Sequence, residues 1–135
     1  MSTQTTASVS THVLDTSAGR PAGGVTVSLE ARSGPGVPWT ALGGSATDAD
    51  GRCKDLPALP EGTTHVRLDF DTETYFSSNQ HHATRQAEAQ QDAPRVRDSG
   101  AFFPEVAITF AVVPGEHFHV PLLLNPFGYS VYRGS

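Results

Sequence analysis

Two histidines, His117 and His119, have the type and spacing best suited to chemistry. They are two residues apart in a segment that alternates polar and apolar side chains. On a β-strand, side chains two apart lie on the same face, so the two imidazoles should be neighbours. Imidazole titrates near neutral pH and can move protons between water and a substrate. The spacing therefore predicts an acid–base site on one face of a strand.

The same pair could instead supply two ligands to a zinc ion. A zinc site needs a further ligand nearby, and His12 is the candidate, because it lies in a strand-like segment at the same parity as Ser10 and Leu14. The chain lacks additional Cys, His or acidic residues at good ligand spacing around these histidines. The residues alone therefore favour an acid–base site, with the zinc site as the alternative.

A turn rich in aspartate, residues 48–52, ends in Arg52. Such turns can bind calcium, but the EF-hand pattern needs further oxygen ligands at set positions and a closing glutamate, which this segment does not have. We interpret it as a turn stabilised by an aspartate side chain, and Arg52, taken alone, as a solvated charge. The neighbouring Cys53 is the only cysteine, so it cannot form an intrachain disulfide, and we expect it to be buried.

Composition limits the class of protein and of partner. The 135 residues suit a single domain, 1–135, and 37% hydrophobic with 17% charged residues is typical of a globular chain. The net charge is −5 and Lys54 is the only lysine, so nucleic acid is not an expected partner. No apolar run is long enough to span a membrane, and residues 1–7 lack the features of a secretory signal. We therefore expect a cytoplasmic protein.

Alternation of apolar and polar residues predicts that β-strands carry these groups. It is clearest at residues 25–31, 66–70 and 106–112, where β-branched and aromatic side chains recur every second position. Short strands separated by turns rich in Gly, Pro and Asp predict an all-β sandwich or barrel. The predicted strands are 8–14, 24–32, 38–42, 44–48, 64–70, 104–113, 116–124 and 127–132.

Three further features complete the predicted layout. Residues 71–74 resemble a helix N-terminus, so one short helix is expected near 73–82. The pair 114–115, Pro-Gly, is expected to close a hairpin. Residues 80–100 are polar with few large apolar side chains, which predicts an exposed, mobile insertion.

Several short motifs occur in a fixed order along the chain. They are Thr-His-Val-Leu-Asp-Thr at 11–16, Gly-Arg-Pro-Ala at 19–22, Asp-Gly-Arg at 50–52, Phe-Phe-Pro-Glu at 102–105, His-Val-Pro-Leu-Leu-Leu at 119–124, Pro-Phe-Gly-Tyr-Ser at 126–130 and Tyr-Arg-Gly-Ser at 132–135. Together they resemble the transthyretin-related family over nearly the whole chain outside about 80–100. The Tyr-Arg-Gly-Ser ending is similar to that of the hydrolases of this family, and distinguishes them from transthyretin, the hormone carrier.

This resemblance implies a fold and an assembly. The fold is a transthyretin-like (prealbumin-like) sandwich of two sheets and eight strands with one short helix. Two subunits join edge to edge and two such dimers pack face to face, so a homotetramer is implied, with its sites in the channel between dimers.

The resemblance also implies an activity. The family's hydrolases convert 5-hydroxyisourate to 2-oxo-4-hydroxy-4-carboxy-5-ureidoimidazoline in urate catabolism, with water attacking a ring carbonyl and no metal or cofactor. The alternative is a transthyretin-like protein that binds a small ligand in the same channel without turnover.

Carried over by motif, the family's catalytic residues map onto His12, Arg52, His119 and Ser135. The substrate-binding residues map onto Arg52, Tyr132 and Ser135. Ser135 could act through its hydroxyl, through a terminal carboxylate or through both, and which histidine is the general base stays open. His117 falls outside the mapped set and is expected behind the site or at its rim.

Overall fold

Two four-stranded sheets form the fold of this protein. The computed structural model describes residues 6–78 and 100–134. Its elements are β1 (Ser8–Asp15), β2 (Arg20–Pro21), β3 (Thr26–Arg32), β4 (Thr40–Ala46), β5 (His65–Phe70), α1 (Thr72–Ser78), β6 (Val106–Ala111), β7 (His117–Asn125) and β8 (Gly128–Val131). One sheet has the order β2-β1-β7-β8 and the other β4-β3-β5-β6. Within these described residues, the predicted all-β, two-sheet sandwich with one short helix is confirmed.

The core between the sheets follows from the alternation in the sequence. In β3 and β5 every second side chain is buried, and cross-strand partners such as Leu29 and Leu68 meet directly. In β7 the buried residues include Phe118, Val120 and Leu122. Burial of each large aliphatic or aromatic side chain contributes roughly 1.5–3 kcal/mol, so this inner face determines the register of the strands.

The parallel pairing of β1 with β7 brings His12 of β1 and His119 of β7 onto neighbouring strands. The ladder runs from Ser8 opposite His117 to Asp15 opposite Leu124. Because side chains alternate between faces, the inner residues of both strands enter the core, and the others lie on the outer surface. We call the outer surface of the sheet β2-β1-β7-β8 the site face.

The helix α1 is docked at the far end of β1. Asp71 caps it, accepting hydrogen bonds from the Thr74 backbone N–H at 3.1 Å and the Thr74 hydroxyl at 2.8 Å. The buried Tyr75 hydroxyl donates to Asp15 Oδ2 at 2.6 Å. Burial, with the adjacent Asp15 carboxylate, raises the pKa of Tyr75 well above its usual range, so the phenol stays a donor.

Two predictions about strands were wrong. The strands expected at 38–42 and 44–48 are one strand, β4. Its pairing with β3 continues past Gly43 because the register shifts between Leu29 and Glu30. Arg20 and Pro21, which lie outside the predicted strands, form the short strand β2 opposite Asp15 and Leu14.

The hairpin predicted at 114–115 was also wrong. β6 pairs with β5, whereas β7 pairs with β1 and β8, so this turn connects two different sheets. The predicted helix end at 82, most of the predicted insertion at 80–100 and the candidate residue Ser135 lie outside the described residues. Within residues 6–78 and 100–134, no helix is long and apolar enough to cross a membrane.

Candidate functional site

Serines of β1 and histidines of β7 meet on the site face. Ser8 is opposite His117 and Ser10 is opposite His119 in the parallel ladder. The predicted shared face of His117 and His119 is confirmed, with His119 the more buried of the two. His12 lies next along β1, opposite the buried Pro121.

Hydrogen bonds link these side chains into a chain. The Ser8 Oγ lies 2.6 Å from His117 Nδ1, and the Ser10 Oγ lies 2.8 Å from His117 Nε2. The same Ser10 oxygen lies 2.7 Å from His119 Nδ1. Both nitrogens of His117 and one nitrogen of His119 therefore have hydroxyl partners. The alternation of the sequence predicts that Ser10 and His12 share a face, but no local signal indicates a role for Ser8 or Ser10.

The turn before Cys53 brings Arg52 to the site face. The Asp48 carboxylate accepts hydrogen bonds from the backbone N–H groups of Asp50 at 2.9 Å and Arg52 at 3.0 Å, as the sequence predicted for a turn stabilised by aspartate. The hydrogen bond from Arg52 is the main cause that lowers the pKa of Asp48. Cys53 is buried as predicted, and burial raises the pKa of its thiol.

A glycine docks this turn against β1. The Val13 N–H donates to the Gly51 carbonyl at 2.7 Å, and His12 and Arg52 form an isolated β-bridge. Gly51 has a φ of 80°, and a Cβ at this position would lie 2.3 Å from the Val13 carbonyl oxygen. Only glycine allows this approach, which places Arg52 beside His12.

The last described residues dock beside His119. The Gly134 N–H donates to the His119 carbonyl at 2.7 Å, and a Cβ on Gly134 would lie 2.8 Å from His119 Cδ2. Arg133 turns the other way, with its guanidinium 4.4 Å from the Phe118 ring centroid and 3.3 Å from Glu116 Oε1.

Neighbouring charges favour the neutral form of His119. Burial lowers its pKa below the usual histidine value, and the charges of Arg52, His12 and His117 lower it further. His119 is therefore an unprotonated imidazole at neutral pH, able to accept a proton. Arg52 is exposed and presents its donors to solvent.

Tyr132, a predicted substrate-binding residue, is 56% exposed. It borders an apolar cavity of about 240 Å³ where the edge strands β6 and β8 come together. The other residues that line this cavity are Ile108, Phe110, Ala111, Phe118, Val120, Val131 and Arg133.

Three of the four predicted site residues that fall within the described part, His12, Arg52 and His119, are thus brought together on one face. They supply one proton acceptor, one permanent cation and a second imidazole. In the described part of the chain, no three His, Cys, Asp or Glu side chains are arranged to hold a metal ion. The arrangement can deprotonate water and stabilise negative charge on a nearby oxygen.

Comparisons with known proteins agree with this architecture. The family model described as HIUase/Transthyretin family matches residues 9–134. A uric acid degradation bifunctional protein of Arabidopsis thaliana is 42% identical over 94% of this chain, which spans only 37% of that protein's length. A 5-hydroxyisourate hydrolase of Salmonella dublin is 39% identical over 94% of this chain and 80% of its own.

A solved structure extends the likeness to three dimensions. The 5-hydroxyisourate hydrolase of Klebsiella pneumoniae superposes with a TM-score of 0.64 at 34% identity, covering 96% of this chain and 99% of the other. The match spans both sheets and the histidine-bearing strands β1 and β7. This chain belongs to the HIUase/Transthyretin family.

Proposed function

We propose that this protein hydrolyses 5-hydroxyisourate to 2-oxo-4-hydroxy-4-carboxy-5-ureidoimidazoline, a step of urate degradation. The observation that carries the proposal is the convergence of His12, Arg52 and His119 on one sheet face, with His119 held neutral by burial and by Arg52. Relatives at 36–42% identity that carry the name 5-hydroxyisourate hydrolase, or a name for uric acid degradation, support it.

The reaction needs a proton acceptor and a stabiliser of negative charge. Water attacks the ring carbonyl carbon C6, its proton passes to a histidine, and charge develops on the carbonyl oxygen. The bond from C6 to N1 then breaks, and N1 takes up a proton. His119 fits the role of base because its pKa is lowered, and Arg52 can bind the oxygen anion through two N–H donors.

The remaining predicted residues complete the proposal. His12 would orient the substrate or share the proton transfers beside Arg52. Tyr132 and Ser135 would line the substrate side, Ser135 through its hydroxyl. No cofactor is required by this chemistry, since water is the nucleophile.

We propose a homotetramer, formed as a dimer of dimers, in which the site face lines a channel between two dimers. A channel would remove water from the polar groups of His119 and Arg52, which strengthens their electrostatic effect on a charged substrate.

We also propose a cytoplasmic location, as expected from the sequence. Fractionation of cells that express the protein would test it.

The activity is tested with freshly generated 5-hydroxyisourate, whose loss of absorbance is compared with its spontaneous decay. We expect acceleration by the wild type and a fall of about 10²–10⁴-fold in His12→Ala, Arg52→Ala and His119→Ala, because each loses an acid–base or electrostatic group. His65→Ala is the matched control, because His65 lies on β5 in the other sheet and is hydrogen-bonded to Thr64.

Two outcomes would contradict the proposal. Near-wild-type rates in all three site variants would show that the site is elsewhere. Ligand binding without turnover would favour the transthyretin-like binding protein instead.

A chelator in the same assay tests the zinc alternative. Activity should persist, and a loss of activity that zinc reverses would favour a zinc site at the histidines.

A further inference from the structure

Ser10 occupies a position that the hydrolysis scheme above does not use. Its hydroxyl oxygen lies 2.8 Å from His117 Nε2 and 2.7 Å from His119 Nδ1, so it touches both imidazoles at once. The two rings are held on either side of it by the ladder that pairs β1 with β7. A hydroxyl in this position connects the candidate base to a second histidine nearer to solvent.

The hydrogen bonds between His119, Ser10 and His117 can have their protons in two arrangements. A hydroxyl has one proton to donate and can also accept, and a neutral imidazole has one N–H and one acceptor nitrogen. In the first, His119 Nδ1–H donates to Ser10 and Ser10 donates to His117 Nε2, which leaves His119 Nε2 free to accept a proton. In the second, His117 Nε2–H donates to Ser10 and Ser10 donates to His119 Nδ1, so His119 carries its proton on Nε2.

We propose that Ser10 is a positioning residue that fixes the tautomer of His119 and relays its proton to His117. This inference rests on the proposed hydrolysis and deepens it. Ser10 and His117 thereby become part of the proton-transfer machinery, and His119 acts first as base and then as acid.

The relay balances as follows. His119 Nε2 takes a proton from the attacking water, and His119 Nδ1 gives its proton to the Ser10 oxygen. Ser10 passes its own proton to His117 Nε2, so the positive charge rests on His117. When the leaving nitrogen takes the proton from His119 Nε2, the relayed proton returns through Ser10 to His119 Nδ1.

The location of charge favours this transfer. Among the described residues, the charged and titratable groups that act on His119 are Arg52 from the turn, His12 from β1 and His117 from β7. A cation on the partly buried His119 beside Arg52 is costly, whereas His117 is exposed and solvated. Ser8, 2.6 Å from His117 Nδ1, can accept a hydrogen bond from the Nδ1–H that His117 carries before and after the transfer.

The test compares Ser10→Ala with Ser10→Thr, which keeps the hydroxyl, and with Ser28→Ala, an exposed serine of β3 in the other sheet. We expect kcat to fall about tenfold in Ser10→Ala with KM nearly unchanged, as for one lost hydrogen bond in the transition state. Ser10→Thr should recover most of the activity and Ser28→Ala should match the wild type. In a His117→Ala background, Ser10→Ala should add little further loss, because both variants break the same path.

A readout independent of activity is the imidazole ¹⁵N spectrum across a pH titration. We expect an ordered His119 tautomer and coupled titration of His117 and His119 in the wild type, and loss of both in Ser10→Ala. Unchanged tautomers and titrations in Ser10→Ala, or additive losses of kcat in the double variant, would overturn the relay. A wild type with coupled histidines but no hydrolysis would contradict the proposed function alone.

Discussion

At the scale of single residues, the environment of His119 favours its neutral form. Burial costs a charged imidazole part of its hydration, and Arg52 beside the site repels a second positive charge. Activity that depends on neutral His119 should therefore persist to lower pH than an unperturbed histidine would allow. Below the lowered pKa, His119 is protonated and can no longer accept a proton from water.

This reasoning predicts the effect of removing the neighbouring cation. In Arg52→Gln, the pKa of His119 should rise, because its protonated form is no longer repelled by the guanidinium. The acidic limb of the pH–rate profile should move to higher pH along with it. The pKa is measured from the His119 ring C–H signals in a pH titration, so that the loss of turnover in this variant does not obscure it.

Lys54→Gln is the matched control for this titration. Lys54 is the other cation of the same segment, but its ammonium lies 3.4 Å from Asp48 Oδ2 and does not contribute to the lowered pKa of His119. The His119 pKa should stay at the wild-type value in this variant. Equal pKa values in Arg52→Gln and the wild type would contradict the electrostatic coupling.

At the scale of elements, one close contact joins the turn at 48–52 to β1. Gly51 combines a left-handed backbone, with φ 80°, and a carbonyl contact that leaves no space for a Cβ. Gly24 has nearly the same backbone, with φ 81°, but nothing lies within 4 Å of the place a Cβ would take. The two glycines therefore separate backbone strain from steric exclusion.

Alanine substitutions should reveal this difference. Gly24→Ala should cost about 1–2 kcal/mol in the free energy of unfolding, from the left-handed backbone alone. Gly51→Ala should cost about 3 kcal/mol or more, since a clash with Val13 adds to the same strain. Because the clash displaces Arg52, turnover should also fall in Gly51→Ala and stay near wild type in Gly24→Ala.

Denaturant unfolding measures the stability of both variants, and the absorbance assay measures their turnover. Equal losses of stability and activity in the two variants would mean that the turn adapts without moving Arg52. A stable but inactive Gly51→Ala protein would still support the role of the docked turn in positioning the guanidinium.

At the scale of the whole molecule, both sheets end at the same side. In the described part of the chain, β6 forms one edge of its sheet and β8 one edge of the other, and the apolar cavity lies where these two edges meet. Edge strands carry unpaired backbone groups that favour pairing with another chain. This edge suits the edge-to-edge contact that we propose within each dimer.

Light scattering coupled to gel filtration tests this assembly. We expect a mass four times the 14.3 kDa of one chain for the wild type. Phe110→Asp places a charge in the cavity at the sheet edge and should lower the mass, because a buried unpaired carboxylate opposes association. Val113→Asp, at an exposed position just beyond β6, should remain at the full mass.

Thermal melting followed by circular dichroism accompanies these measurements, so that an unfolded Phe110→Asp protein is not mistaken for a folded monomer. A wild-type protein that is monomeric at micromolar concentration and fully active would contradict the tetramer.

Local patterns in the sequence identified most of the strands and the faces of their side chains, but not the short strand β2 or the continuity of β4. The strict two-residue period predicted that His117 and His119 share a face and that Phe118 and Val120 lie on the opposite face, since the β-strand geometry alone decides this. The aspartate turn at 48–52 was likewise readable, because its hydrogen bonds connect residues only two to four positions apart. The family motifs selected His119 from the histidine pair, and they also selected His12 and Arg52, although Arg52 taken alone was interpreted as a solvated charge.

Contacts between distant segments depended on the tertiary fold. Ser10 and His119 are 109 residues apart, and nothing local distinguishes a parallel partner of β1 from any other strand. The hairpin predicted at 114–115 was wrong for the same reason. Whether the strand after this turn joins the sheet of β6 or the other sheet depends on its distant partners, β1 and β8. The docking of Gly51 on Val13 and the hydroxyl between two imidazoles both follow from this long-range register. Register is determined by packing of the whole core, so a sequence pattern predicts which face a residue occupies but not which residue it will meet there.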